Sequence, residues 1–253
     1  GAVMSRYADY WSGFATHDQS AHPEAWDNCA GAWAPCLGPS GSTLRDWSGS
    51  NNHLTLTNMD PAADWVPSGG RYALDFDGTN DYAVTTGVTG APLFAAHTGI
   101  VWTASAWIYP RSVESDIVLG TWPSVTSSGW LFGTRNVAGA LRIQGGTLIA
   151  GGVGGNLGYD SGQTITLNTW SHIAMVFLGL NSGTFAEFYL NGRAGGFTQV
   201  AVGISGALTS TTLAIGAASD IGSNVFNGLV SDVSLYTGRK SGIIPLLAQR
   251  PGI

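Results

Sequence analysis

The chain of 253 residues carries little charge and almost no lysine: charged residues make up 10% of it, and Lys240 is the single lysine. A typical domain has about 25% charged residues. A nucleic-acid surface needs many phosphate-neutralising groups, and a polybasic membrane patch needs a cluster of them. A formal net charge of −6 with no basic run supplies neither, so the reading is no nucleic-acid and no membrane partner. Cysteine is scarce as well, with Cys29 and Cys36 alone. They bracket a short loop containing Gly31 and Pro35, a spacing that admits a disulfide or two free thiols. Zinc needs four ligands, and these two thiols with five scattered histidines form no recognised set. Nor does any apolar run approach the ~20 residues that span a bilayer. The first residues, Gly1-Ala-Val-Met-Ser-Arg-Tyr7, lack the basic start and apolar core of a secretory leader.

Glycine, by contrast, is abundant at 37 residues, which suits many tight turns between short strands. Helical periodicity is confined to Ile243–Gln249, and His22-Pro23-Glu24 reads as the start of a short helical turn with an early proline. Strand patterning dominates the rest. Ala73-Leu-Asp-Phe-Asp-Gly-Thr-Asn-Asp-Tyr-Ala-Val84 alternates, pauses at Asp-Gly and Asn-Asp, then resumes, as a half-buried strand running through a tight turn does. Leu54–Thr57, Val101–Tyr109, Ile117–Thr121, Gly129–Thr134, Ala140–Gln144, Ser171–Phe177, Ala186–Leu190, Thr211–Ile215 and Leu229–Tyr236 read as further strands. Asn191-Gly192 is a hairpin signal, and the glycine-rich stretch 145–163 reads as a hairpin or long loop. Regularly spaced short strands without a 20–50-residue repeat predict an all-β fold of two packed antiparallel sheets. Trp102 and Trp107 are of opposite parity, so one of them faces the core. Residues 1–42 are aperiodic but rich in aromatics (Tyr7, Tyr10, Trp11, Phe14, Trp26, Trp33), unlike a disordered tail. They read as an irregular N-terminal arm that packs on its own domain or on a neighbour, ahead of one undivided domain over 43–253.

Several phrases then fall together. Asp46-Trp-Ser-Gly-Ser-Asn-Asn-His53, the Ala73–Val84 strand, Ala104-Ser-Ala-Trp-Ile-Tyr-Pro110, Thr169-Trp-Ser-His-Ile-Ala-Met-Val176, Phe188-Tyr-Leu-Asn-Gly192, Leu213-Ala-Ile-Gly216 and Phe226-Asn-Gly-Leu-Val-Ser-Asp-Val-Ser-Leu-Tyr236 occur in one order. Together they resemble laminin-G-like domains of the concanavalin-A-like lectin and glucanase family. The resemblance covers about residues 43–240 and implies a jelly-roll sandwich. The stretch Gly31–Gly41 and the ending Leu246–Gly252 are further similar to laminin-G-like proteins of tailed phages.

Catalytic relatives on this fold place carboxylates in a Glu-x-Asp-x-x-Glu pattern on one strand, since glycoside hydrolysis needs two carboxyl groups about 5–10 Å apart. That pattern is missing here. Glu114 and Asp116 come nearest and read as a solvated loop pair. No Gly-x-Ser-x-Gly elbow accompanies a histidine, and His172 reads as a packed core-edge histidine. The resemblance implies calcium as a cofactor, with Asp46, Asp77 and Asp232 as candidate ligands, although Asp46 and Asp77 also read as turn caps. Trp122 and Trp130, in a stretch rich in Ser and Thr, are candidate sugar-stacking platforms, with packing as the alternative. The expectation is therefore a non-enzymatic structural or interaction protein on a virion surface, decorating a capsid or tail and contacting it or copies of itself. The alternative is a secreted carbohydrate-binding or adhesion module, calcium-dependent or not, that recognises surface glycans.

Overall fold

The computed structural model describes residues 22–85, 101–121, 128–148, 155–179, 184–201, 212–218 and 224–249. Alternating segments become strands wherever one parity has a core to enter. In chain order these are β1 (Cys29–Trp33), β2 (Thr43–Leu44), β3 (Leu54–Thr57), β4 (Trp65–Ser68), β5 (Arg71–Asp77), β6 (Tyr82–Thr85), β7 (Trp102–Pro110), β8 (Ile117–Gly120) and β9 (Gly129–Val137). They continue as β10 (Ala140–Leu148), β11 (Gly155–Tyr159), β12 (Ser171–Phe177), β13 (Ala186–Leu190), β14 (Arg193–Ala194), β15 (Thr198–Ala201), β16 (Leu213–Ile215) and β17 (Asn227–Thr237). Two one-turn helices, α1 (Pro23–Trp26) and α2 (Ile244–Leu247), lie near the two ends of the described chain.

The strands form two antiparallel sheets. The eight-stranded sheet runs β14-β13-β12-β7-β17-β5-β4, with β1 added beside β17; the nine-stranded sheet runs β15-β11-β10-β9-β8-β16-β6-β3-β2. This is the jelly-roll sandwich that the sequence pattern predicts. Between the sheets lies one continuous core. Ala104, Ala106 and Ile108 of β7 and Ile173, Met175 and Phe177 of β12 face Trp130, Phe132, Leu141, Ile143 and Ile215 of the opposite sheet. Trp102 is the core-facing member of its pair, and Trp107 lies on the outer face, where its indole Nε1 donates to Leu247 O at 3.1 Å.

Register is interrupted once in the central strand β17. Between Ser231 and Ser234 the pairing with β7 slips, and Asp232 takes a left-handed conformation (φ 52°). A bulge of this kind adds a residue and turns the strand. The first half of β17 pairs with β5 and the second half with β1, on the same side. Because of the extra residue, Val230, Val233 and Leu235 all remain in the core.

A second, smaller cluster forms on the outer face of the eight-stranded sheet. There Ala25 and Trp26 meet Ala32, Cys36, Tyr236, Ile243 and Leu247. The described part of the N-terminal arm is thus built into the domain through β1, and it shares its packing with the C-terminal segment. Residues 1–21 lie outside the described residues.

Candidate functional site

Of the residues singled out in the sequence, several serve the fold. Asp46 is buried and organises its turn: Oδ1 accepts the N–H of Ala32 and of Ser48, and Oδ2 accepts the N–H of Asn52 and the Ser48 hydroxyl, all at 2.9 Å. Asp77 begins an Asx turn, with Oδ1 accepting the N–H of Thr79 at 2.7 Å and of Asn80 at 3.1 Å. Slight burial raises its pKa, but the donated N–H groups of Thr79, Asn80 and Asp81 outweigh this and hold it below the usual carboxylate range. Asp232 sits at the β17 bulge beside the Cys36 thiol and the Arg71 guanidinium. Calcium takes six to eight oxygens from one locus. These three aspartates are not gathered in one place, and no group of three His, Cys, Asp or Glu side chains among the described residues is placed to hold a metal. Asp46, with both oxygens committed, does not fit the role the resemblance implies.

Trp130 corrects the sugar-platform reading. It is fully buried between the sheets, with its ring centroid 4.6 Å from that of Trp102, and presents no face to a ligand. A signal for this was available: Trp130 shares strand parity with Phe132, and both enter the core. Trp122 lies outside the described residues. Cys29 and Cys36 are free thiols rather than a disulfide. The Cys29 Sγ donates to Gly31 O at 3.5 Å, and burial, then Asp46, pushes its pKa up to about 12. Burial, then Asp232, raises Cys36 well above the ordinary thiol range.

The Glu114–Asp116 pair also departs from its reading as a solvated loop. Glu114 is exposed, but Asp116 is only 6% exposed. Both line a cleft of about 510 Å³ with Gly78, Ser112, Ser115, Asn224, Val225 and Asn227. Three connections meet there: the β5–β6 turn, the β7–β8 loop and the approach to β17. Ligand clefts usually measure about 300–1,000 Å³. A second pocket, beside Trp47 and Trp65, measures about 230 Å³ and falls short of that range.

The walls of the cleft are held by backbone bonds, so their side chains are pre-placed. Ile117 N donates to Asn224 O at 3.0 Å, and Arg111 N to Asn227 O at 2.9 Å. Asn224 Nδ2 donates to Ser115 O at 2.8 Å, and Asn136 N to Ser115 Oγ at 3.1 Å. Gly78 (φ 75°) packs so closely on Asn227 that a Cβ there would meet the Asn227 Cβ at 2.7 Å. Burial, then the Glu114 charge, lifts the Asp116 carboxyl to about 7 against the N–H it accepts from Asn227. Nearby Asp81 is lifted to about 6 by burial, with Asp77, Asp64 and Asp75 adding to the rise. The cleft is therefore acidic and rich in acceptors, suited to a ligand that donates hydrogen bonds. Sequence reasoning missed Ser112, Ser115, Asn224 and Asn227, because each is an ordinary loop residue until three separate loops meet.

The laminin G family model described as the concanavalin A-like lectin/glucanases superfamily matches residues 77–242. The chain belongs to this superfamily. It is a lectin/glucanase-like jelly-roll domain, and its solved neighbours share the fold at low identity. The binding domain of botulinum neurotoxin serotype D aligns over 88% of this chain and 51% of its own, at 13% identity and a TM-score of 0.57. The sialidase of Trypanosoma rangeli, solved with sialic acid, aligns over 88% and 33%, at 16% identity and a TM-score of 0.56. Domain 4 of an extracellular arabinanase of Geobacillus stearothermophilus, solved with arabinotriose, aligns over 88% and 98%, at 12% identity and a TM-score of 0.52. The chain thus spans about half of the neurotoxin binding-domain chain and about a third of the sialidase chain. No curated protein matches it by sequence. Across the described central strands of the nine-stranded sheet, the outward positions of this lectin/glucanase-like domain are Ile117, Gly120, Gly129, Leu131, Gly133, Arg135, Val137, Ala140, Arg142, Gln144, Gly146, Leu148, Gly155, Leu157 and Tyr159. None of them is a carboxylate.

Proposed function

We propose that the domain is a non-catalytic glycan-binding module, displayed at an extracellular or virion surface, that takes a neutral sugar in the cleft around Asp116. The observation that carries this reading is the convergence of Asp116, Glu114, Ser112, Ser115 and Asn227 on one pre-formed cleft of about 510 Å³. Sugar hydroxyls donate hydrogen bonds, and carboxylate, hydroxyl and amide oxygens accept them. The low charge of the chain as a whole and the acidity of this end disfavour anionic sugars, since Asp77, Asp81 and Glu114 repel a carboxylate. The arabinanase domain solved with arabinotriose is support by analogy of fold. The lack of an outward carboxylate on the described central strands of the nine-stranded sheet supports the non-catalytic part.

Titration calorimetry with a panel of neutral and sialylated oligosaccharides tests it. Binding is expected for at least one neutral glycan, and it weakens at least tenfold in Asp116→Ala. The module reading fails if no oligosaccharide binds, or if Asp116→Ala binds as the wild type does. Release of a shorter sugar that Asp116→Asn abolishes overturns the non-catalytic part.

A further inference from the structure

We propose that the C-terminal segment 241–249 is an acid-released latch, held shut over His172 while that imidazole is neutral. His172 is on the outward parity of β12 with Ala174 and Val176, yet it is only 1% exposed. Neither ring nitrogen has a hydrogen-bond partner among the described residues. Its ring meets Trp107 edge-on at 5.6 Å between centroids. Trp107 is itself bonded to Leu247 O. On the other side, the His172 backbone is held by Asn191: His172 N donates to the side-chain Asn191 Oδ1 at 2.9 Å, and Asn191 N donates to His172 O at 2.8 Å. The adjoining Gly192 abuts Pro245 and Ala248, so that a Cβ at Gly192 would lie 3.2 Å from the Ala248 Cβ. Ile244 packs on Ala174 and Val176 next along the strand. The segment thus covers His172 from both flanks.

A buried imidazolium with no acceptor is costly. The charged and titratable groups on the surrounding elements do not relieve it. On β13, Glu187 is committed to Arg239 at 2.6 Å and to the Tyr189 hydroxyl at 3.0 Å. At the N-terminal side, Asp27 holds Lys240 at 3.2 Å, and Glu24 pairs with His22 at 3.2 Å. Asp232 on β17 faces Cys36 and Arg71. Tyr109 of β7 and Arg193 of β14 bring no carboxylate to the ring. Burial alone moves the His172 pKa down from 6.5 to about 3. A depressed histidine adds stability that is complete above its free pKa and is lost as pH falls below it. The cheapest way to hydrate the ring is to lift the cover, because α2 is one turn long and has no side-chain cap. Lifting it also bares Trp107, Ala174 and Val176 as an apolar face.

Hydrogen exchange of the intact chain, read by mass spectrometry on peptides covering 241–249 and corrected for intrinsic rates, decides the matter. The open-to-closed ratio of the segment is expected to rise about tenfold per pH unit below 6.5, roughly 100-fold by pH 4.5. Peptides of β7 and β12 stay protected over that range. In His172→Phe the rise disappears, and His172→Gln gives the same flat profile where the phenylalanine variant does not fold. Unchanged wild-type protection at pH 4.5, the same rise in either variant, or joint loss of β7 and β12 protection overturns the proposal.

Discussion

Asp46 and Asp116 show how differently one residue type is used here. Asp46 offers two oxygens to four donors and leaves nothing for a ligand. Asp116 accepts the N–H of Asn227, is raised to about 7, and faces a cleft. Hydrogen bonds to a charged acceptor contribute about 1.5–3 kcal/mol each and are not additive, so Asp46→Ala is expected to cost about 3–5 kcal/mol. Chemical denaturation measures that loss. Adding a chelator to the wild type is expected to leave the midpoint unchanged, because Asp46 acts through N–H and O–H donors rather than through a metal. The turn-capping role was legible in the phrase Asp46–His53. The burial of Asp116 was not, since nothing near it in sequence predicts that residues 224–227 will close over it.

At the scale of elements, the legible strands were those with alternation and large residues, such as β7, or an apolar run of strand length, such as β12. Among the strands absent from that reading (β1, β2, β4, β11, β14 and β15), three escaped for plain physical reasons. β4 contains Pro67, which argues against a central strand but is tolerated at an edge, and β4 is the edge of its sheet. β1 is bulged between Cys29 and Gly31. β15 is a short edge strand next to β11. The stretch 145–163 reads as a hairpin or long loop, and the described residues take the hairpin pairing: Gly145 and Gly146 lie within β10, opposite Gly158 and Leu157 of β11. Glycine is needed at 145 because a Cβ there would come within 2.4 Å of Met175 Sδ and 2.9 Å of Leu131 O, across and within the core layer. Gly145→Val therefore forces Met175 and the β9 backbone apart. Overpacking of this kind costs about 1–3 kcal/mol, and the backbone oxygen puts this site at or above the upper end. A lowered melting temperature in calorimetry is the expected outcome, with Met175→Ala as a second change that restores part of the loss.

Across the whole molecule, acidity is concentrated where the cleft opens, with Asp77, Asp81, Glu114 and Asp116 within a few residues of the same three connections. The fold was legible because its phrases are local, while the cleft was not because it is assembled from distant loops. The raised Asp116 binds a proton in the folded state that the unfolded chain gives up above its ordinary carboxylate pKa. Its contribution to stability is therefore present at low pH and is lost as pH rises through about 7. Binding has the opposite sign, since an ionised carboxylate is the better acceptor for sugar hydroxyls. Affinity for a neutral glycan is expected to rise about tenfold between pH 6 and 8, following the ionised fraction, and to become flat in Asp116→Asn. Calorimetry at three pH values reads both.

β17 is the last strand among the described residues, yet it occupies the middle of its sheet, with β7 on one side and β5 and β1 on the other. During synthesis those three earlier strands each emerge with an open hydrogen-bonding edge. The sheet cannot close until residues 227–237 have left the ribosome. The interval before they arrive is the chain's period of greatest exposure to aggregation, and contacts that span most of the sequence close late. The same late strand carries the bulge that lets it serve two partners on one side, so its arrival completes both halves of the sheet in a single event.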